Sequence, residues 1–144
     1  MKKNYKNLPL RCGVGIVVLN EKNQVFLAKR IDNPKNFWQM PQGGVDKNED
    51  YYEAALRELE EETGISDISW VEGFLKSTEY TFKKKGKVIQ KKVWWLLAKT
   101  TEMKVKLSEE HLNYMWLDWD SAITQVTHDL TKSIITDAKE FLMN

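Results

Sequence analysis

A chain of 144 residues fits one compact domain. Its 42% hydrophobic and 30% charged residues supply material for a core and exclude an intrinsically disordered polymer. The net charge of +1 names no partner, and a lone cysteine, Cys12, excludes an intramolecular disulfide and a thiolate metal site.

Met1 to Leu10 is polar and lysine-rich, without the apolar core of a signal peptide, and no run approaches the roughly 20 apolar residues of a membrane span. A soluble, cytoplasmic protein is the expectation. Residues 13–19 (GVGIVVL) form a nearly continuous apolar run, which predicts a buried strand. Asn20 to Asn23 reads as a turn, Val25 to Lys29 as a returning strand, and Asp32 to Val45 as a loop.

Residues 50–63 predict a helix with Tyr52, Ala55, Leu56 and Leu59 as its apolar stripe and Gly64 as its stop. Residues 69–82 and 88–99 read as strands joined by a turn at Lys83–Lys87, and 114–117 as another. Asp118 is a plausible cap for a short helix, and Thr127 or Asp129 for a last one. On that last helix Leu130, Ile134, Ile135, Ala138, Phe141 and Leu142 share a face. Strands joined as hairpins together with helices predict an α+β domain, a mixed sheet between helices.

Charge is segregated along this chain. Asp46 to Glu62 holds eight acidic and two basic residues; Lys76 to Lys92 holds seven lysines and one acid, Glu79. One surface should be anionic and another cationic. Within the acidic run, Glu58, Glu61 and Glu62 stand at i, i+3 and i+4, on one stripe bordering the apolar one. Three like charges repel there, by about 0.2–0.5 kcal/mol per pair. The helix C-terminus disfavours them as well. The stripe is either a solvated acidic face or a site for a cation. All-oxygen ligands suit Mg²⁺, Mn²⁺ or Ca²⁺ better than zinc.

The context of the triplet favours the second reading. Gly43, Glu49, Arg57, Glu58, Leu59, Glu61, Glu62, Gly64 and Ile65 reproduce, without a departure, the pattern Gly-x5-Glu-x7-Arg-Glu-aliphatic-x-Glu-Glu-x-Gly-aliphatic. In this the chain resembles the Nudix hydrolases. The resemblance implies an α/β/α sandwich around a mixed sheet. It implies divalent cations, Mg²⁺ with Mn²⁺ as a substitute, held by Glu58, Glu61, Glu62 and the Gly43 carbonyl. It implies Arg57 and Glu49 as braces of the loop and helix, and Glu61 or Glu58 as general base. Such cations would neutralise polyphosphate oxygens and acidify water.

Flanking residues narrow the resemblance. Trp38-Gln39-Met40-Pro41-Gln42-Gly43-Gly44 looks like a motif of bacterial RNA pyrophosphohydrolases and related dinucleoside polyphosphate hydrolases. Arg11, Arg30 and the Gln90-Lys91-Lys92-x-Trp94-Trp95 stretch look like their phosphate-holding residues and strand. The resemblance thus implies Arg11, Arg30, Trp38, Gln42 and Lys91 at the substrate. Glu110 matches a later metal-site glutamate, with Glu109 adjacent and a plain capping role after Ser108 as the alternative. The chain departs where that group carries a Phe-Lys-Arg segment opening the last helix. Here Thr127-His128-Asp129-Leu130-Thr131-Lys132 stands, leaving His128 to stack on a base or merely be exposed. The lysines at 83, 84, 85, 87, 91 and 92 either follow an RNA backbone or decorate a solvated turn. The expected substrate is 5′-triphosphate RNA or a dinucleoside polyphosphate; a domain that only binds nucleotide or RNA is the reading of another class.

Overall fold

The computed structural model describes residues 10–31 and 37–143, apart from the Leu112 side chain. The polar segment before Leu10 and the first part of the expected loop, 32–36, lie outside the described residues.

Eight strands form a mixed sheet: β1 (Leu10–Leu19), β2 (Val25–Arg30), β3 (Trp38–Gln39), β4 (Gln42–Gly44), β5 (Ile68–Trp70), β6 (Lys76–Lys84), β7 (Lys87–Thr100) and β8 (His111–Leu117). The helices are α1 (Tyr51–Thr63), α2 (Trp119–Gln125) and α3 (Asp129–Met143). β1 runs parallel to β7 from Leu10↔Gln90 to Leu19↔Lys99, and the remaining pairs are antiparallel. Side chains alternate across a strand. Val14, Ile16 and Val18 therefore join Leu96 and Ala98 under Ala54, Ala55 and Leu59 of α1. Val17, Leu19, Val93, Trp95 and Leu97 face Ala122 of α2 and Ile134, Ile135 and Ala138 of α3. Both faces of β1 are covered, which is why its sequence reads as continuously apolar. The result is the expected α+β architecture, an α/β/α sandwich.

Several expectations need correction in detail. The stretch from Asp32 to Val45 is not all loop. β1 and β2 part company after Leu19↔Val25, and β4 takes the vacated edge of β1 at Gly13–Gly15. The expected strand 69–82 is two strands, interrupted where Gly73 adopts a φ of 89° and Phe74 turns into the core. The hairpin turn is tighter than Lys83–Lys87. Lys85 and Gly86, with φ of 52° and 77°, connect the pair Lys84↔Lys87, the positive-φ signature of a two-residue type I′ turn. The cap of α3 is neither Thr127 nor Asp129: the Thr131 and Lys132 amides donate to the His128 carbonyl, and the Thr127 hydroxyl serves the Trp38 amide. Leu130 and Phe141 of that helix are exposed, while Thr131 is buried.

The correction that matters most for the site concerns α1. Asp50, the first residue of the expected helix, caps it instead by accepting from the Glu53 amide, and Gly64 at φ 76° ends it by donating to Glu60, as the sequence implies. Its buried stripe, however, is rotated from the expected one. Tyr52 is exposed and meets Trp70 edge-on, while Ala54, Ala55, Leu59, Glu62 and Thr63 are buried. Glu62 lies on the buried face and not beside it.

Candidate active site

The three glutamates of α1 occupy three environments, a consequence of the rotation. Glu61 points outward with its side chain 59% exposed. Glu58 is half-buried. Glu62 is 6% exposed. Its carboxylate accepts from the Gln42 backbone amide, but its Oε2 is buried with no hydrogen-bond partner. Burial first, and then the charge of Glu58, pushes the Glu62 pKa up to about 8. Glu58 is raised as well, chiefly by burial.

Arg57 organises this acidic corner. Its Nε and Nη2 form a fork onto Glu49 at 2.8 and 2.9 Å, and Nη2 also donates to the Gly44 carbonyl at 2.9 Å. Nη1 reaches Glu58 at 2.8 Å and Glu61 at 3.4 Å. One rigid guanidinium thus ties the loop before α1 to the glutamates on it. Gly43 completes the packing: a Cβ there would fall onto the Glu58 carboxylate. The 101–110 segment closes the other side, with Ser108 and Lys106 amides donating to the Glu62 and Thr63 carbonyls at 3.1 and 2.9 Å. Glu58, Glu61, Glu62, Ser108, Glu109 and Glu110 line one cavity of about 420 Å³. Of the two adjacent glutamates, Glu110 is the one whose charge helps raise Glu62.

Among the described residues, no three carboxylates are drawn together into a ready coordination shell. Glu58 and Glu61 are turned toward Arg57. The donor set nevertheless fits a hard divalent cation. It is all oxygen, it surrounds a shared cavity, and one of its atoms is a buried carboxylate oxygen with nothing to satisfy it.

A second cavity of about 530 Å³ is lined by Gln42 and Gly43, which lie against Glu62 and Glu58 of the first. Arg30, Lys91, Gln42 and Gln39 supply its polar wall, and Thr78, Tyr80, Val93 and Trp95 its sheet floor. His128 to Thr131, the start of α3, form the remaining wall. The Lys91 pKa is lowered by burial and then by the nearby charges of Arg11 and Arg30. Cations that converge beside a cavity create a potential suited to a polyanion. The structure thus brings Arg30, Gln42 and Lys91 together on the cavity, with Arg11 paired beside Lys91 but outside the lining.

Trp38 behaves differently from the expectation. It is half-buried, packs on the core and lines neither cavity. Its backbone is tied to Thr127, 2.9 Å to the hydroxyl and 3.1 Å from the Thr127 amide, so it anchors the loop to the entry of α3. The sequence reading missed Thr78, Tyr80, Trp95, Asp129 and Thr131. The first two share a face with Lys91 and Trp95 through the pairs Tyr80↔Lys91 and Thr78↔Val93. Strand alternation counted outward from Lys91 is the signal that would have found them. His128 was a candidate for stacking; it lines the cavity, and its ring meets Phe37 edge-on at 4.9 Å between centroids.

Comparison with known proteins agrees with this geometry. The family described as NUDIX domain matches residues 9–137. An RNA pyrophosphohydrolase of Pelagibacter ubique is 45% identical over 152 aligned positions, covering 97% of this chain and 96% of the relative. An asymmetrical bis(5′-nucleosyl)-tetraphosphatase of Rattus norvegicus is 34% identical over 81% of this chain and 80% of its own length. Among solved structures, the binary complex of a C. elegans Ap4A hydrolase superposes with a TM-score of 0.80 at 29% identity, over 92% of this chain and 98% of that one. Nudix hydrolases in general use divalent metal ions. The unbroken motif on α1, the sandwich that presents it and these matches along the chain's length lead to one assignment: the chain belongs to the Nudix family and is a hydrolase of pyrophosphate bonds.

Proposed function

We propose that this protein is a Mg²⁺-dependent RNA 5′ pyrophosphohydrolase. Water attacks a phosphorus of the 5′-triphosphate, the phosphoanhydride P–O bond breaks, pyrophosphate leaves, and RNA with a 5′-monophosphate remains. The observation that carries the reading is the placement of Gln42 and Gly43, which line the cationic cavity while lying against Glu62 and Glu58 of the acidic one. A cytoplasmic setting belongs to the same proposal and follows from the substrate class.

Glu58, Glu61, Glu62, Glu110 and the Gly43 carbonyl would hold the cation. Mg²⁺, or Mn²⁺ in its place, would neutralise phosphate oxygens and acidify water when bound. The protein's own groups do the rest. Arg11, Arg30 and Lys91 hold the phosphate chain, and Gln42 positions it beside Glu62. Arg57 is a positioning residue that fixes Glu58 and Glu61 relative to the loop. Glu61 takes the proton from the attacking water; its exposure and its long 3.4 Å contact to Arg57 leave its carboxylate more open to water than Glu58 or the buried Glu62. Trp38 acts indirectly, by holding the loop that carries Gln42.

A second reading is hydrolysis of a dinucleoside polyphosphate, favoured by the rat and C. elegans relatives and by an aromatic floor able to stack a nucleoside. Initial rates with Mg²⁺ on a triphosphorylated RNA oligonucleotide and on diadenosine tetraphosphate separate the two. Release of pyrophosphate from RNA, abolished by Glu61→Gln, is expected. Turnover of diadenosine tetraphosphate without turnover of RNA would transfer the assignment to the second reading.

A further inference from the structure

The β6–β7 hairpin extends well past the cavity, and its two faces differ in kind. On the cavity side the register gives successive cross-strand rows. Thr78↔Val93 floors the cavity, Tyr80↔Lys91 stands at its rim with Arg11 paired beyond Lys91, Phe82↔Ile89 follows, and Lys84↔Lys87 closes the hairpin. At about 3.4 Å per residue, Lys84 lies roughly 14 Å beyond Tyr80. The opposite side carries the only acid of Lys76–Lys92, Glu79, which is held by Lys92 at 3.4 Å. Among the described residues, the cavity-side rows of the hairpin therefore include no anionic residue between the rim and the turn.

Two aromatic rings lie on that face, Tyr80 at 41% exposure and Phe82 half-buried, with centroids 6.2 Å apart and planes tilted by 45°. Beyond them Lys84 and Lys87 are exposed, with Lys85 at the tip. An open aromatic pair leading from a phosphate-holding rim to a lysine cluster has the composition of a single-strand path: rings for bases and cations for the backbone. A solvated turn would need the lysines but not an exposed ring beside a half-buried one on the same face.

We propose that this face of the hairpin is a track for the RNA chain downstream of its 5′ end. Tyr80 and Phe82 stack the bases that follow the triphosphate, and Lys84 and Lys87 contact backbone phosphates. The inference rests on the RNA reading of the site and adds a reason for preferring RNA to a dinucleoside polyphosphate, which is too short to use the track.

The test compares binding and turnover separately. Binding of a 3′-labelled octaribonucleotide with a 5′-monophosphate, the reaction product, is followed by fluorescence anisotropy against salt. Lys84→Gln/Lys87→Gln is expected to weaken it and to flatten the log–log salt slope by roughly 1.4, about 0.7 per lost contact. Phe82→Leu is expected to weaken it at least about fivefold with the slope unchanged. Turnover of a triphosphorylated dinucleotide, which ends before the lysines, checks that the lysine variant is folded, thermal melting checks the same for Phe82→Leu, and KM for a triphosphorylated octanucleotide rises in both. Equal octanucleotide affinity of wild type and variants, with RNA still hydrolysed, overturns the track and leaves the proposed function standing. Equal competition by inorganic polyphosphate, with Phe82→Leu silent, also overturns it, in favour of a non-specific polyanion surface. Failure to hydrolyse any triphosphorylated RNA sinks the functional reading, and the anisotropy arm still decides the track.

Discussion

Glu62 makes the sharpest prediction, because a carboxylate on the buried face of α1 couples stability to pH and to metal. Its pKa rises from 4.5 to about 8 on folding of the metal-free protein. The native state then holds a proton that the unfolded chain releases. The associated stability is complete below pH 4.5 and is lost as pH rises to about 8. At about 1.36 kcal/mol per unit, this shift corresponds to roughly 5 kcal/mol. Glu62→Gln keeps the size of the side chain and removes the titration. Thermal unfolding in chelator should find the variant within about 3 °C of wild type at pH 5 and on the order of 10 °C above it at pH 8.5, at about 3 °C per kcal/mol for a chain this long. Millimolar Mg²⁺ at pH 8.5 should recover much of the difference for wild type and little for the variant. Parallel melting curves for the two proteins across pH, or a wild type indifferent to Mg²⁺, would refute the argument that Glu62 is a buried carboxylate awaiting a cation.

Other outcomes follow from named contacts. Arg57→Lys cannot fork onto Glu49 while reaching Glu58 and Glu61, so the Mg²⁺ needed for half-maximal activity should rise about 10–100-fold; metal titration of initial rates measures it. Gly43→Ala places a methyl group on the Glu58 carboxylate and should cost about 1–3 kcal/mol in denaturant unfolding together with most of the activity. Thr78→Val strips the buried Trp95 Nε1 of its 3.0 Å acceptor; a loss of about 1–3 kcal/mol is expected by urea titration. Lys91→Gln should raise KM for a triphosphorylated substrate about tenfold or more with a smaller change in kcat, if the group on this cavity wall has the proposed role of holding phosphate and not the reacting atoms.

The local sequence was sufficient wherever a short segment carries its own physics. Asp50 and Gly64 bound α1 because a cap and a positive-φ stop act within a turn of their residues. Gly43, Arg57 and the glutamates are legible as one motif because loop and helix are adjacent in the chain. Periodicity around the expected stripe could not place Glu62, since Ala54, Ala55, Leu59 and Glu62 are chosen by the sheet packed over α1 and not by the helix alone. Trp38 read as a substrate residue for the same reason: its neighbour Thr127 is 89 residues away. The cavity wall of Thr78, Tyr80 and Trp95 came into view only with the register of β6 on β7, and the Arg11–Lys91 pair only with the parallel pairing of β1 and β7. What the amino-acid sequence determined by itself was the family motif and the local brackets of its helix. What the tertiary structure decided was which carboxylate is desolvated and which cations converge, because burial and long-range charge depend on neighbours distant along the chain.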